Sequence, residues 1–197
     1  MSVYIYPTDT VWGLGASIFD FKAHLRICEI KKTAVNKPIS ILMATLDDVR
    51  EYFNLPPTTN LELLRETFRL EVTLGFPVAW MQKKIPDYIF SDSSWIGVRC
   101  IDMVSFPSIQ RLMNKVMTPI TTTSLNYSGD APTTSEVHAM EFAKKIKDCT
   151  VIPLLPTDPP MSGEASCFMC FDEKGAHKLI RAGRFSERLQ EYAKRLF

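Results

Sequence analysis

The sequence predicts an α/β domain with one sheet of mixed strand direction covered by helices. Short β-branched or aromatic runs alternate with amphipathic stretches along the chain, which is typical of α/β folds. One strand pair is predicted late, at residues 166–172 and 177–181, around the turn formed by residues 173–175. Strands joined by so short a turn are antiparallel, so the sheet is expected to be mixed. The 197 residues, of which 46% are hydrophobic, suffice for a core without disulfides or metal.

The first predicted strand, residues 3–6, is β-branched and aromatic, and Pro7 is expected to end its hydrogen-bond ladder. Two close glycines, Gly13 and Gly15, are expected to let the chain turn tightly before a helix that begins near residue 19. The segment between strand and helix is therefore predicted to be a loop that holds a ligand.

This loop is dense in polar side chains, because residues 6–15 have the sequence YPTDTVWGLG. The hydroxyls of Thr8 and Thr10 are expected at a strand end, and ligands of α/β folds collect beyond the carboxyl ends of strands. A capped turn, in which Thr and Asp side chains satisfy backbone groups, is the alternative. The loop alone leaves both interpretations open.

Three lysines surround the end of the next element, an amphipathic helix predicted over residues 19–32 with apolar residues at three- and four-residue spacings. Lys31 and Lys32 lie at the end of this helix, and Lys37 follows shortly before a predicted buried strand at residues 39–43. These cations flank a loop and are candidates for an anion site. Lysines placed favourably against the helix dipole are the alternative.

The middle of the chain continues the alternation. The predicted helices are residues 46–53, a segment from a cap at Thr58 or Thr59 to residue 70, residues 106–117 and residues 136–146; the predicted strands are residues 78–81, 95–101 and 119–123. Gly75 and Pro77 are expected to interrupt the pattern before residue 78. Arg99 lies inside a predicted strand. A buried arginine must find an anion or several carbonyls, so Arg99 binds either a ligand or an acidic side chain of the protein itself.

A second polar stretch, TTTSLNYSGDAPTTSE, begins at Thr121. Thr134 or Ser135 can cap the helix that follows, which explains part of the run. Capping does not explain Ser124 and Asn126. These two side chains suit an anion or another polar ligand.

The last third of the chain contains its one linker-like stretch. Residues 151–155 are apolar and predicted to form a strand, and four nearby prolines with Gly163 predict a surface loop or lid. After the late strand pair, Gly183 leads into a terminal helix that is expected to end at Phe197.

Charge and hydropathy exclude some classes of protein. The 23 Lys and Arg against 22 Asp and Glu leave a net charge of +1, so no global field draws the chain onto nucleic acid or a membrane. Any anion site must therefore be local. No signal peptide is recognisable and no apolar run approaches the ~18 residues that span a bilayer, so no membrane association is expected.

The five cysteines predict reduced thiols in a cytoplasmic protein, since their number is odd and their surroundings are mostly apolar. Cys167 and Cys170 have C-x-x-C spacing, but they lie in a predicted strand, where residues three apart face opposite sides. No metal or redox site is expected there.

Five separated motifs, in this order, resemble the YrdC family. They are residues 6–15, the lysine loop through Lys37 and Pro38, Gly97-Val98-Arg99, residues 124–129 (SLNYSG) and residues 179–183 (LIRAG). The resemblance covers nearly the whole chain. It implies a twisted, open sheet of parallel and antiparallel strands flanked by helices, with a concave basic face, in a single YrdC-like domain spanning residues 1–197.

The resemblance implies L-threonylcarbamoyladenylate synthase activity, a nucleotidyl transfer that makes threonylcarbamoyl-AMP and pyrophosphate from L-threonine, bicarbonate and ATP for modification of tRNA. ATP is thus a substrate, and Mg²⁺ is expected to be carried with its phosphates. The expected partners are tRNA-modification proteins, with tRNA or double-stranded RNA as further candidates. Attack on the α-phosphate needs cations and oriented donors more than a nucleophile, so no catalytic nucleophile, base or metal ligand is assigned.

By motif position, the resemblance assigns residues to both substrates. The residues assigned to threonine binding are Thr8, Arg99, Ser124 and Ser166. The nucleotide is assigned to Lys31, Lys37, Asn126, Thr134, Arg181 and the backbone near Trp95.

The chain departs from the family pattern at several positions. Thr33 stands where Arg is usual, Leu42 where some relatives have His, Trp12 where Tyr is usual, and residues 74–79 where the P-G-P-V-T segment is common. Loss of one arginine–phosphate contact costs ~1.5–3 kcal/mol. Lys32 or Lys37 is expected to replace the charge, although not the bidentate geometry.

Two other functions stay open. One is a catalytically weakened nucleotide-binding, double-stranded RNA-binding or tRNA-binding module of the same fold, although a net charge of +1 is mild for an RNA binder. The other is carbamoyl transfer to a different acceptor, as in larger maturation proteins that contain a YrdC-like domain. A wholly structural role would have to explain five polar motifs at strand ends.

Overall fold

The computed structural model describes residues 2–101, 106–146 and 148–197 and confirms the predicted α/β class. The strands are β1 (Val3–Tyr6), β2 (Gly13–Gly15), β3 (Ser40–Met43), β4 (Val72–Pro77), β5 (Trp95–Cys100), β6 (Ile120–Ser124), β7 (Cys149–Val151), β8 (Cys167–Phe171) and β9 (His177–Arg181). The helices are α1 (Phe21–Lys31), α2 (Leu46–Tyr52), α3 (Leu61–Phe68), α4 (Pro107–Val116), α5 (Glu136–Ile146) and α6 (Ser186–Ala193).

All of these strands join one sheet in the order β7-β1-β2-β6-β3-β5-β4-β8-β9. Three neighbouring pairs are parallel, β1 with β7, β3 with β5 and β4 with β8, and the other pairs are antiparallel. The predicted mixed direction is therefore confirmed, and so is the late antiparallel pair, β8 and β9. Strands from distant parts of the chain lie side by side in the middle of the sheet. This order brings the polar motifs together.

The prediction that Gly13 and Gly15 form a turn before a helix was wrong, because they form the short strand β2 between β1 and β6. Neither glycine has a positive φ. Their small size is required instead, since a Cβ on Gly15 would overlap the carbonyl oxygen of Thr121 and a Cβ on Gly13 would meet the ring of Tyr6 at 2.7 Å. Two closely spaced glycines are therefore compatible with either a tight turn or a close approach of strands, and the sequence alone did not distinguish the two.

The interruption predicted at Gly75 was also wrong, because Gly75 lies inside the buried strand β4, whereas Pro77 is the last residue of that strand. Gly75 is needed there since a Cβ would meet the sulfur of Cys170 on β8 at 2.6 Å. The predicted strand at residues 78–81 is instead a 3₁₀ turn, Val78–Trp80. The buried apolar run before Gly75 determined the strand.

Helix ends show smaller corrections. Asn60, and not Thr58 or Thr59, caps α3 by accepting a hydrogen bond from the backbone of Leu63. Ser135 caps α5, since its hydroxyl accepts from the amide of His138 at 3.3 Å. The predicted strand at residues 151–155 lies earlier, at β7, because Pro153 has no amide hydrogen to continue the ladder. The terminal helix α6 is shorter than predicted.

The apolar side chains form three clusters around the sheet. One, which includes Phe53, Phe76 and Leu196, packs α2, α3 and α6 against the β4 side of the sheet. A second packs α1 and α5 beside β1 and β2, and a third packs α4 beneath Tyr6 and Leu42. None of the helices in the described ranges has the length and apolar character to cross a membrane.

Candidate functional site

A cavity of about 510 Å³ opens where the central strands end, and it collects most of the polar motifs. All but two of the predicted binding residues line it. They are Thr8, Lys31, Lys37, Arg99, Ser124, Asn126, Ser166 and Arg181. The sheet order explains the convergence, because β2, β6, β3, β5, β4 and β8 are consecutive neighbours. Their roles toward a ligand stay predictions.

The loop after β1 forms one wall of the cavity, and Thr8 fixes its shape. The hydroxyl of Thr8 donates to the carbonyl of Val11 at 2.6 Å and accepts from the amides of Thr10 and Val11 at 3.2 Å each. Its side chain also contacts the hydroxyl of Thr10 at 3.0 Å. Thr8 thus satisfies backbone groups as a capped turn would. The same loop also lines the cavity, so the two interpretations left open by the sequence are compatible.

Arg99 lies near the middle of the cavity and is only 8% exposed. One terminal nitrogen forms an ion pair with Asp9 Oδ1 at 2.5 Å, and the other donates to the hydroxyl of Thr10 at 3.0 Å. Arg99 Nε has no hydrogen-bond partner among the described residues. The internal ion pair, one of the two alternatives for a buried arginine, is therefore present. It coexists with a position on the cavity wall.

One end of the cavity, here called the lysine end, consists of Lys31, Ser124 and Asn126. Lys31 Nζ donates to the carbonyl of Ser124 at 2.7 Å and to Asn126 Oδ1 at 2.6 Å. Asn126 Oδ1 also accepts from the Ser124 hydroxyl at 2.7 Å, and Asn126 Nδ2 donates to the carbonyl of Asp130 at 2.6 Å. These bonds hold the β6 loop against the end of α1.

Burial at the lysine end weakens the charged form of Lys31. Desolvation lowers the pKa of Lys31 from its usual 10.5 to about 8, repulsion by Lys37 adds to this, and Asp130 opposes it. An ammonium has three N–H donors, and two of those of Lys31 have acceptors within the protein. The third has no acceptor among the residues that the structure describes, so it is available to an anion in the cavity.

The other end, here called the arginine end, consists of Arg181, Ser166 and Thr73. Arg181 Nη2 donates to the Ser166 hydroxyl at 3.0 Å, and Arg181 Nε donates to the Ser166 carbonyl at 2.9 Å. The Ser166 and Thr73 hydroxyls are hydrogen-bonded at 2.9 Å. Burial, and secondarily repulsion by Arg99, lowers the pKa of Arg181, so the two guanidinium groups lie close enough to interact.

Thr73 is a cavity residue that sequence reasoning missed. The P-G-P-V-T resemblance was placed at residues 74–79, none of which lines the cavity, whereas Thr73 immediately precedes that segment. The available signal was its hydroxyl, which is the one hydroxyl in the otherwise apolar, fully buried strand β4. Ser40 and Phe168 were missed in the same way, since each lies inside a strand and not in a polar run.

Trp95 and Thr134 do not line the cavity, and their predicted roles toward the nucleotide stay predictions. The Trp95 ring packs edge-on against Phe168, with ring centroids 4.9 Å apart. Thr134 is exposed in the loop before α5. Leu42, the position where some relatives have a histidine, is fully buried in the core beneath the sheet and does not line the cavity either.

The lysines of the lysine loop lie in different surroundings. Lys37 lines the cavity, whereas Lys32 is exposed and its ammonium lies over the ring of Tyr127, 5.1 Å from the centroid. Thr33 lines a separate side pocket of about 60 Å³ together with Lys31 and Lys37. Of the two lysines expected to replace the missing arginine, only Lys37 is placed to do so.

The proline-rich loop before β8 is bonded to the wall of the cavity. The amides of Ser162 and Gly163 donate to the carbonyls of Asp9 and Thr10 at 3.0 and 2.8 Å. The Ser162 hydroxyl donates to Glu71 at 2.8 Å, and Glu71 also pairs with Arg184 at 2.9 Å. This loop therefore supports the backbone that positions the partners of Arg99.

The site can therefore bind an anion with several oxygen atoms. Two arginines, two lysines and several hydroxyls line it, whereas no Asp or Glu does so in the ranges that the structure describes. No group of three or more His, Cys, Asp or Glu side chains that could hold a metal ion lies in those ranges. The fold and the cavity define an α/β domain with a pocket whose lining suits polyanionic ligands.

The chain belongs to the Sua5_yciO_yrdC family, whose model, described as "Telomere recombination", matches residues 2–183. A putative threonylcarbamoyl-AMP synthase of Methanocaldococcus jannaschii is 31% identical over 148 residues, which are 73% of this chain and 64% of that protein. A threonylcarbamoyl-AMP synthase of Hydrogenovibrio crunogenus is 24% identical over 136 residues, covering 68% of this chain and 70% of that protein. The family resemblance in the sequence is confirmed.

Solved structures agree on the fold. The crystal structure of P. abyssi Sua5 complexed with L-threonine matches with a TM-score of 0.77 and 23% identity, over 99% of this chain and 54% of that one. The crystal structure of E. coli YciO matches with a TM-score of 0.73 and 19% identity, over 93% of this chain and 85% of that one. The chain thus spans about half the length of the Sua5 chain.

Proposed function

We propose that this protein is an enzyme that makes threonylcarbamoyl-AMP and pyrophosphate from L-threonine, bicarbonate and ATP, for use in tRNA modification. The observation that carries the proposal is the single cavity in which Lys31, Arg99, Ser124 and Arg181 meet, although they are spread along most of the chain. The names of the relatives support it, as does the Sua5 structure that contains L-threonine.

The reaction requires that its three substrates meet inside one cavity. The threonine amine forms a bond to the carbon of bicarbonate, water leaves, and a carbamate oxygen then attacks the α-phosphorus of ATP while pyrophosphate leaves. Negative charge on the phosphates must be balanced, and Lys31, Lys37 and Arg181 supply positive charge at the cavity wall. Mg²⁺ carried on the phosphates supplies further positive charge when it is bound.

Contacts between the two predicted sets of residues suit such a condensation. Lys31, assigned to the nucleotide, donates to the carbonyl of Ser124, assigned to threonine. Arg181, assigned to the nucleotide, donates to Ser166, assigned to threonine. Substrates held by these residues would lie next to each other, as formation of a bond between them requires.

The proposal includes the setting of the enzyme. Residues 1–197 act as one YrdC-like domain, in the cytoplasm, and tRNA-modification proteins take up its product. Release of the adenylate to such a partner requires no membrane. The RNA-binding alternative has no separate observation in its favour and is tested as an outcome below.

The deciding experiment incubates the pure protein with ATP, labelled L-threonine and bicarbonate. Pyrophosphate and a labelled adenylate are expected only when all three substrates are present. Arg181→Ala is expected to reduce the rate at least about tenfold, because it removes charge-assisted contacts. Lys178→Ala is the matched control, since Lys178 is an exposed cation of the same strand outside the cavity, and its rate is expected within about twofold of wild type.

Absence of pyrophosphate with all substrates present would contradict the proposed function. Binding of tRNA or double-stranded RNA by the same preparation, measured by filter retention, would then support the binding module. Formation of pyrophosphate when carbamoyl phosphate replaces threonine and bicarbonate would favour carbamoyl transfer to another acceptor.

A further inference from the structure

Thr73 lies in the cavity wall without having been part of any recognised motif. It is located in the buried strand β4, and its side chain is only 2% exposed. Its hydroxyl is hydrogen-bonded to the hydroxyl of Ser166 at 2.9 Å. A buried threonine that lines a polar cavity needs an explanation beyond packing.

The register of the sheet places Thr73 beside Arg99. Leu74 of β4 is the partner of Val98 of β5 in an antiparallel pair, so the next pair along the ladder is Thr73 with Arg99. Residues directly opposite each other in an antiparallel pair share a face of the sheet. Thr73 therefore lies between Arg99 on one side and, through Ser166, Arg181 on the other.

At the arginine end, one hydroxyl hydrogen of the Ser166–Thr73 pair has no partner among the described residues. Ser166 Oγ accepts from Arg181 Nη2, and one hydroxyl hydrogen forms the bond between Ser166 and Thr73. Two hydroxyls carry two hydrogens. The second hydrogen has no acceptor among the residues that the structure describes, so it is available to a ligand.

A donor between two guanidinium groups suits an acceptor-only anion, which is either a carboxylate or a phosphate. The carboxylate is favoured because the two neighbours of Thr73, Ser166 by a hydrogen bond and Arg99 by strand register, are both assigned to threonine. We infer that Thr73 is a specificity-determining residue whose hydroxyl, together with that of Ser166, binds the carboxylate of the amino-acid substrate. This inference rests on the proposed function and adds a residue to it.

The test compares two substitutions at Thr73 in the full chain by calorimetric titration with L-threonine and with AMP. Thr73→Val keeps the shape of the side chain and removes the hydroxyl, whereas Thr73→Ser keeps the hydroxyl. Thr73→Val is expected to raise the Kd for threonine about tenfold and to leave the Kd for AMP within about twofold, as expected for one lost charge-assisted bond. Thr73→Ser is expected to restore threonine binding to within about threefold of wild type.

Thr67→Val is the matched control, because Thr67 is fully buried in α3 and its hydroxyl donates to the carbonyl of Leu63 at 2.7 Å, outside the cavity. It is expected to lower the melting temperature without changing either Kd. Unchanged threonine affinity in Thr73→Val, or an equal loss for AMP and threonine, would overturn the inference while leaving the proposed function standing. A wild-type protein that binds neither ligand would overturn both.

Discussion

The two ends of the cavity differ in how many of their polar groups are already hydrogen-bonded within the protein. At the lysine end, both polar atoms of the Asn126 amide and the Ser124 hydroxyl are engaged by protein groups, so the loop is fixed before a ligand arrives. At the arginine end, a hydroxyl hydrogen of the Ser166–Thr73 pair is left for a ligand. The lysine end therefore acts as a rigid support that presents a charge, and the arginine end as a set of donors that can distinguish ligands.

Removal of Arg99, which lies between the two ends, is expected to have the largest effect. Arg99→Ala should weaken threonine binding about ten- to a hundredfold, because a bidentate charge-assisted contact is lost. It should also lower the free energy of unfolding by about 2 kcal/mol, since Asp9, whose side chain is 25% exposed, loses its partner. Titration calorimetry and chemical denaturation measure the two quantities separately.

Asp9→Asn separates the two roles of Arg99. This variant breaks the ion pair but keeps the guanidinium in the cavity, so it should lower stability and leave threonine affinity equal to or better than that of wild type. If Arg99→Ala lowers stability and leaves threonine affinity unchanged, Arg99 is an internal partner of Asp9 only.

Of the two lysines expected to replace the missing arginine, Lys37 and not Lys32 is expected to contribute to ATP binding. Lys37→Ala should lower ATP affinity by ~1–2 kcal/mol, since Lys37 lines the cavity. Lys32→Ala is the control and should change ATP affinity less than about twofold, because its ammonium lies over Tyr127. Thr33→Arg should add little, because Thr33 faces the side pocket beside Lys37. Equal losses in the two lysine variants would show a diffuse electrostatic effect and no specific site.

The smallest expected effect is a pH dependence that only the lysine end provides. With a pKa of about 8, Lys31 loses its charge above that pH, so AMP affinity should fall a few-fold between pH 7.5 and 9.5, where the phosphate charge is constant. The same shift acts in the opposite direction on stability. Because the unfolded chain binds more protons between pH 8 and its usual pKa of 10.5, the contribution of Lys31 to stability should rise over that interval.

Lys31→Met is expected to abolish the pH dependence of AMP binding, while Lys37→Ala should leave a step that is shifted to higher pH, because repulsion by Lys37 lowers the pKa of Lys31. Calorimetric titrations at several pH values test this. A step of wild-type size in Lys31→Met would assign the titration to another group.

Sequence reasoning located the elements whose pattern depends on their own residues. The amphipathic helices and the strand around Arg99 were predicted within a few residues, because their periodicity is local. Gly15 and Gly75 were misinterpreted, since their small size serves a neighbouring strand, Thr121 on β6 in one case and Cys170 on β8 in the other. No local pattern identifies such a neighbour.

The same distinction applies to the candidate site, where residues in polar runs were predictable and residues that depend on strand neighbours were not. Polar runs such as the one containing Ser124 and Asn126 were visible, and the structure brings these residues to the cavity. Thr73 was missed because its meaning depends on the register with Arg99 and on the contact with Ser166. The ion pair of Arg99 was left open for the same reason, since the sequence offers 22 acidic residues and only the fold selects Asp9.

The hydrogen bonds across the cavity join residues that are far apart in the chain, so the cavity can form only late during synthesis. Lys31 and Asn126 are separated by 95 residues and Thr73 and Ser166 by 93, so each contact closes a long loop of chain. Such contacts form slowly and late in folding. Arg181 follows β1 to β8 in the chain, so a nascent chain that ends after β7 contains Thr73 but neither Ser166 nor Arg181. The growing polypeptide therefore acquires its complete cavity only when β8 and β9 join the sheet.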